Sequence, residues 1–149
     1  MEYDREALDK LLGTALGQTF PHTYHYVSVY TQYLDVIVHH TSWNDESARD
    51  ETRKLLRSAQ SYFSSYFPQH LVDIYKYCAT VESSHAKDAK NARYTWETIV
   101  NYENKVENWL AFAESQATET QPDEEAFAFR RSVYQRAISA AADMPYKIY

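Results

Sequence analysis

A chain of 149 residues has the size of one domain, and an apolar content of 44% supports a buried core and argues against disorder throughout. The formal net charge of −6 disfavours direct nucleic-acid binding, because phosphate backbones attract basic surfaces. Only 2 glycines are present, so the chain lacks a glycine-rich phosphate loop and the usual hairpin turns, and helices are favoured.

The cellular setting is predicted from three features of the sequence. Cys78 is the single cysteine and forms no internal disulfide, which fits a reducing compartment. The first ten residues, MEYDREALDK, are acidic and amphipathic, unlike a signal or transit peptide. No run of apolar residues approaches the length of a membrane span. We therefore expect a cytoplasmic protein with no membrane contact.

The first half of the chain predicts four helices, because its apolar residues recur at three-and-four spacing. In the second helix this period outweighs a high content of valine and tyrosine, which would suit a strand. Asn44 or Asp45 suits the N-cap of the third helix, and Phe67–Pro68 ends it. The expected ranges are about 4–16, 22–42, 45–67 and 69–83.

A single long helix is predicted over about 86–115. One heptad seam runs through it without interruption, which is typical of a helix packed along its whole length. The helix would be about 45 Å long and would form the spine of the fold. The seam consists of Ala89, Ala92, Trp96, Ile99, Glu103, Val106, Leu110 and Ala113.

The last predicted helix opens at the segment TQPDEE, where Thr120 and Asp123 resemble a capping box, and ends at Met144–Pro145. Its predicted apolar face contains Phe127, Tyr134, Ile138 and Ala141. The sequence therefore predicts a single all-α domain over 1–149, a bundle of five to six mostly antiparallel helices.

Metal binding is an alternative suggested by the segment ESSH, in which Glu82 and His85 have the E-x-x-H spacing. Carboxylate-bridged di-iron bundles need two such motifs, and this chain has one. A mononuclear site would combine Glu82 and His85 with Glu103 and a histidine of the second helix, His25 or His39. The favoured interpretation is that these residues are structural, with no metal and no cofactor.

Glu103 is a candidate buried polar residue, because it occupies an apolar position of the heptad seam. A buried carboxylate must find a partner or take up a proton. Alternatively, the seam opens at this point and the carboxylate reaches water.

Lys87, Lys90 and Arg93 form a basic strip at the start of the predicted long helix. Cations at a helix N-terminus oppose the helix dipole, so the strip is a candidate site for an anion or an acidic partner. The alternative is a solvated face that is balanced by Asp88 and Glu97.

Tyrosine is the strongest clue to function in the composition, with 14 in the chain. Aromatic residues with a polar tip are enriched in protein interfaces. The sequence contains none of the motifs G-x-S-x-G, H-E-x-x-H or C-x-x-C. The interface candidates, which lie off the predicted core stripes, are Tyr24, Tyr77, Tyr94, Tyr102 and Trp109.

These observations predict a non-enzymatic helical bundle that acts through protein–protein contacts. It would be an adaptor, an inhibitor or immunity-type protein, or a subunit of a larger assembly, and its partner would be another protein or a second copy. A metal- or cofactor-binding bundle is the alternative. A nucleic-acid-binding accessory protein that uses the basic strip is a weaker one.

Overall fold

The computed structural model describes residues 3–117 and 124–143, whose regular secondary structure is helical without a strand. A short 3-10 helix, Pro68–His70, joins the third and fourth helices. The prediction of an all-α chain is confirmed for these residues, although their α helices number seven rather than five or six. They are α1 (Arg5–Leu16), α2 (Tyr24–His40), α3 (Glu46–Tyr66), α4 (Leu71–Ser84), α5 (Ala89–Tyr102), α6 (Val106–Ala117) and α7 (Glu124–Asp143).

The chain forms two compact units, Met1–Thr95 and Trp96–Tyr149, and the division falls within α5. The first unit contains α1 to α4, and the second contains α6 and α7. That the whole chain is a single domain stays a prediction. In the part of the chain that the structure describes, no helix has both the length and the apolar character needed to cross a bilayer.

The core of the first unit lies among α2, α3 and α4, with Leu8, Leu12 and Leu16 of α1 packed against it. Asp4 caps α1 by accepting a hydrogen bond from the backbone N of Ala7, and Asp45 caps α3 in the same way from Ser47. The predicted start of α3 is therefore confirmed. The side chains at the centre of this core are Leu34, Val38, Ala59, Phe63, Ile74 and Val81.

A hydrogen bond between Tyr33 and Asp9 ties α2 to α1. The Tyr33 hydroxyl donates to Asp9 Oδ1 at 2.7 Å, and Arg5 Nε donates to the same oxygen at 2.8 Å. Burial, and then the hydrogen bond to Asp9, raise the pKa of Tyr33 to about 12. The buried phenol is therefore held in its protonated form.

A buried ion pair joins α3 to α4 and to the start of α5. Arg53 donates from Nε and Nη2 to the two carboxylate oxygens of Glu82, each at 2.8 Å. Arg53 Nη2 also lies 3.2 Å from Asp88 Oδ2, and Asn91 donates to Glu82 at 3.3 Å. Glu82 is only 5% exposed, so this fork of donors compensates the charge that burial would otherwise leave unpaired.

The predicted single helix over 86–115 is wrong, because α5 ends at Tyr102 and α6 begins at Val106. At the break, Asn108 Nδ2 donates to the backbone oxygen of Glu103 at 2.8 Å. Side chains such as asparagine compete with a helix through local hydrogen bonds of this kind. Heptad spacing records only where apolar residues recur and carries no information about such hydrogen bonds. The apolar pattern therefore continues in the sequence although the helix is broken in the structure.

In the second unit, α7 packs along α6. Phe112 of α6 contacts Phe129 of α7, with ring centroids 5.9 Å apart. The expected capping box of Thr120 and Asp123, and the expected helix end at Met144–Pro145, lie outside the described residues.

Replacing Arg53 with methionine should lower the free energy of unfolding by about 3 to 5 kcal/mol, because Glu82 is then left buried without its partner. Urea titrations followed by circular dichroism measure the effect. Arg57 is exposed on the same helix, so Arg57→Met is the matched control and should cost less than about 0.5 kcal/mol.

The double variant Arg53→Met with Glu82→Met should recover part of that loss, because a buried pair is often replaced by apolar side chains at little cost. A loss below about 1 kcal/mol for Arg53→Met alone would contradict the role assigned to this pair.

Tyr33→Phe should flatten the loss of stability at alkaline pH. The folded-state pKa of about 12 exceeds the ordinary value of 10.0, so the stabilisation is present below pH 10 and is lost between pH 10 and 12. Over this window Tyr33 contributes a decline of up to about 1.4 kcal/mol per pH unit. Urea unfolding series across that range measure it, and equal slopes in the two proteins would be inconsistent with the assignment.

Candidate interaction surface

The described side chains of α7 fall into three sectors around the helix axis, at about 100° per residue. The first sector is buried and consists of small or medium-sized residues, Val133, Ala137 and Ala140. Phe129 and Arg136, which contact residues of α6, lie on the same side. Small side chains let two helices approach closely, so this sector is the packing face of α7.

The second sector is exposed and apolar apart from one arginine, and we call it the α7 stripe: Phe127, Arg131, Tyr134, Ile138 and Ala141. The exposed fraction is 48% for Phe127, 41% for Tyr134 and 70% for Ile138. The prediction that Phe127, Tyr134, Ile138 and Ala141 form the packed face of this helix is therefore wrong. Because α7 packs through the other side of the helix, Phe127, Tyr134 and Ile138 remain in contact with water.

The third sector is polar and lines an open cleft of about 530 Å³ in the second unit. Ser132, Gln135 and Ser139 of α7 face the side chains of Asn101 and Asn104 across it. Among the described residues that line this cleft, none is a carboxylate. Its side-chain hydrogen-bonding groups are amides, hydroxyls, the indole N–H of Trp109 and one guanidinium.

That guanidinium belongs to Arg136, whose charge is compensated within the unit. It makes a two-pronged ion pair with Glu97, with Nη2 at 2.7 Å from Oε2. Its Cζ also lies 4.7 Å from the ring centroid of Trp109. These contacts hold Arg136 between α5 and α6 and away from the α7 stripe.

Two interface candidates from the sequence line one hollow of the first unit, of about 420 Å³. Tyr24 is exposed, whereas Tyr77 is half-buried and donates from its hydroxyl to Asp35 Oδ1 at 3.2 Å. Burial, and then the negative charge of Asp35, raise the pKa of Tyr77. A third candidate, Tyr94, lines a different hollow, so the three do not form one patch.

The other two interface candidates lie in the second unit. Tyr102 is exposed at the end of α5. Trp109 is buried, with its ring against Arg136 and its Nε1 donating to Asn104 at 2.7 Å. Trp109 therefore serves the internal packing of the unit.

The candidate residues of the alternative metal site have other neighbours. Both oxygens of Glu82 accept hydrogen bonds from Arg53, and the ring of His25 lies near that of Phe20. The His85 ring lies against His39, with centroids 5.0 Å apart. In residues 3–117 and 124–143, no group of three or more His, Cys, Asp or Glu side chains is placed to hold a metal ion.

Glu103, the last of those residues, lies at the break between α5 and α6 and is partly exposed. Its carboxylate accepts from Asn108 Nδ2 at 3.0 Å and lies 3.0 Å from Lys105 Nζ. The seam therefore opens at this residue, which was one of the two alternatives left by the sequence.

The predicted basic strip lies at the start of α5. Lys87, in the turn before α5, and Lys90, in its first turn, are exposed, and Arg93 is half-buried. The Asp88 carboxylate accepts from the backbone N of Asn91 at 3.0 Å and so caps the helix. An acid thus accompanies the cations, and binding of an anion or acidic partner here stays a prediction.

Cys78 lines the same hollow as Arg53 and Glu82 but is itself buried. Gln60 Nε2 approaches its sulfur at 3.3 Å. Burial raises the pKa of the Cys78 thiol to about 11. A thiol with this pKa is a poor nucleophile at neutral pH, so Cys78 is a packing residue.

Comparison of the chain with protein-family models, with curated proteins and with solved structures gave no match. Its function is therefore inferred from its own residues and geometry. The α7 stripe places three exposed large apolar side chains on one face of one helix at a regular helical spacing. Its hydrophobicity was visible in the sequence, but its exposure was not.

Cys78 should react with iodoacetamide at least about 100-fold more slowly in the folded protein than in urea at pH 8. With a pKa of about 11, about one thiol in a thousand is ionised at that pH, against about a quarter for an ordinary thiol. Mass spectrometry of quenched samples measures the rates. Rates within about threefold of each other would show that the thiol is accessible and ionised.

Proposed function

We propose that the chain is a non-enzymatic helical protein that acts by binding a partner protein, and that the α7 stripe binds a helix of that partner. The observation that carries this proposal is the exposure of Phe127, Tyr134 and Ile138 on one face of one helix. Large apolar side chains that share a surface mark interaction sites, whereas isolated ones are normal.

The spacing of the stripe supports a helix as the occupant. Its residues follow one another at steps of four, three, four and three, which is the repeat of a helix–helix seam. From Phe127 to Ala141 the stripe is about 21 Å long. An amphipathic helix of similar length, laid along α7, buries this row as one surface.

The interior chemistry of the two units supports a binding role over catalysis. Cys78 is buried with a raised pKa, and Glu82 is held by Arg53. The cleft of the second unit contains amides and hydroxyls, with its guanidinium paired to Glu97. An adaptor, an inhibitor or a subunit of an assembly fits these features equally.

Ile138→Glu should weaken partner binding by about thirtyfold, since it removes about 2 kcal/mol of apolar burial from the centre of the contact. It should leave the free energy of unfolding within about 0.5 kcal/mol of the wild type, because Ile138 is exposed. The matched control is Gln135→Glu, which adds the same charge to an exposed position in the polar sector.

Binding is measured in cells with a photo-crosslinking amino acid placed at 138 or, as control, at 135. A partner adduct from 138, mapped by mass spectrometry to a helical segment and absent from 135, is the expected result. Equal adducts from both positions, or adducts that persist in Ile138→Glu with the crosslinker at 134, would overturn the proposal.

A further inference from the structure

The part of α7 between its terminal acids, residues 127–142, differs in sign of charge from the chain as a whole. The chain has 15 basic and 21 acidic residues, yet the segment 127–142 contains three arginines and no acid. Arg136 is paired with Glu97, which leaves Arg130 and Arg131 beside the apolar side chains of the stripe. This surface is therefore a local basic region on an acidic protein.

The two arginines have different positions relative to the stripe. The Cζ of Arg130 lies 4.8 Å from the ring centroid of Phe127, at the edge of the stripe. Arg131 is exposed and occupies the second position of the four-three repeat, between Phe127 and Tyr134. A helix that covers the stripe therefore also covers the stem of Arg131.

A covered arginine requires a compensating acid, because an unpaired charge is costly once water is removed. A polar or charged residue in a helix–helix seam is a known determinant of which partner is accepted. We propose that the occupant of the α7 stripe is an acidic amphipathic helix, whose carboxylates pair with Arg131 and Arg130. This inference rests on the proposed function and adds the chemistry of the partner.

A second copy of α7 does not meet this requirement. Parallel pairing of two α7 helices sets Arg131 beside its equivalent, and like charges across an interface are unfavourable. In antiparallel pairing along the stripe, the acids of α7, Glu124, Glu125 and Asp143, lie at the two ends of the helix, outside the segment 127–142 that faces Arg131. The stripe therefore favours a partner helix with glutamate or aspartate beside its apolar row over self-association.

The test uses two synthetic helical peptides of about 21 residues, with the same leucine seam and either glutamate or lysine at the flanking positions. Fluorescence anisotropy with the full chain measures their affinities at about 0.15 M and about 0.5 M salt. The glutamate peptide should bind at least about tenfold more tightly at the lower salt, and this ratio should shrink at the higher salt.

Arg131→Glu should abolish or reverse the preference between the peptides. The matched control is Lys54→Glu, which makes the same change in net charge at an exposed position of α3 and should leave the preference intact. Ile138→Glu should weaken both peptides, which tests the apolar seam separately from the charge. Circular dichroism of each variant verifies that the fold is retained.

Equal binding of the two peptides, a preference for the lysine peptide, or a preference that Lys54→Glu changes as much as Arg131→Glu would overturn the inference. So would binding of neither peptide, or a dimer in light scattering that Ile138→Glu dissolves. If crosslinks to a partner helix from position 138 persist in any of these cases, the proposed function stands and only the acidic class of partner fails.

Discussion

Helix α7 packs against α6 through Val133, Ala137 and Ala140. The face that α7 buries determines which of its side chains are exposed to solvent. The contacts of Phe129 with Phe112 and of Arg136 with Trp109 fix the rotation of α7 about its own axis. A helix packed on one side cannot also bury the opposite side, so Phe127, Tyr134 and Ile138 remain exposed. The exposure of the α7 stripe depends on that rotation.

The two units treat charge in opposite ways. In the first unit, the charge of Arg53 is largely buried and paired with Glu82 and Asp88, so it stabilises the packing of α3 against α4. In the second, Arg136 is matched by Glu97, while Arg131 is exposed in a row of apolar groups. A paired interior charge specifies how helices meet within a chain, whereas a charge beside exposed apolar side chains specifies which other surface is accepted.

Much of the fold could be predicted from the sequence, because apolar period, caps and prolines are local signals. The caps and the proline placed α3 correctly. The break after Tyr102 was missed, since it depends on a side-chain hydrogen bond of Asn108 that no periodicity encodes. The exposure of Ile138 was not predicted because α7 has two apolar faces. Hydrophobicity assigns the core position to the face with the larger residues, whereas the face with the smaller residues is the one that packs. Which face a helix buries is decided by its neighbours, so a sequence pattern leaves the site undetermined.

The turn between α4 and α5 has a strained backbone that is stabilised by a residue from α3. Lys87 adopts a left-handed backbone angle, φ 55, which costs energy in a residue other than glycine. Two sets of contacts hold this conformation. The Asp88 backbone N donates to the backbone oxygen of Glu82 at 2.8 Å. Arg53, from α3, donates to the carboxylates of both Glu82 and Asp88. The reversal of the chain at this corner is therefore stabilised by α3 as well as by its own hydrogen bonds, which couples the corner and α3 in local opening of the first unit.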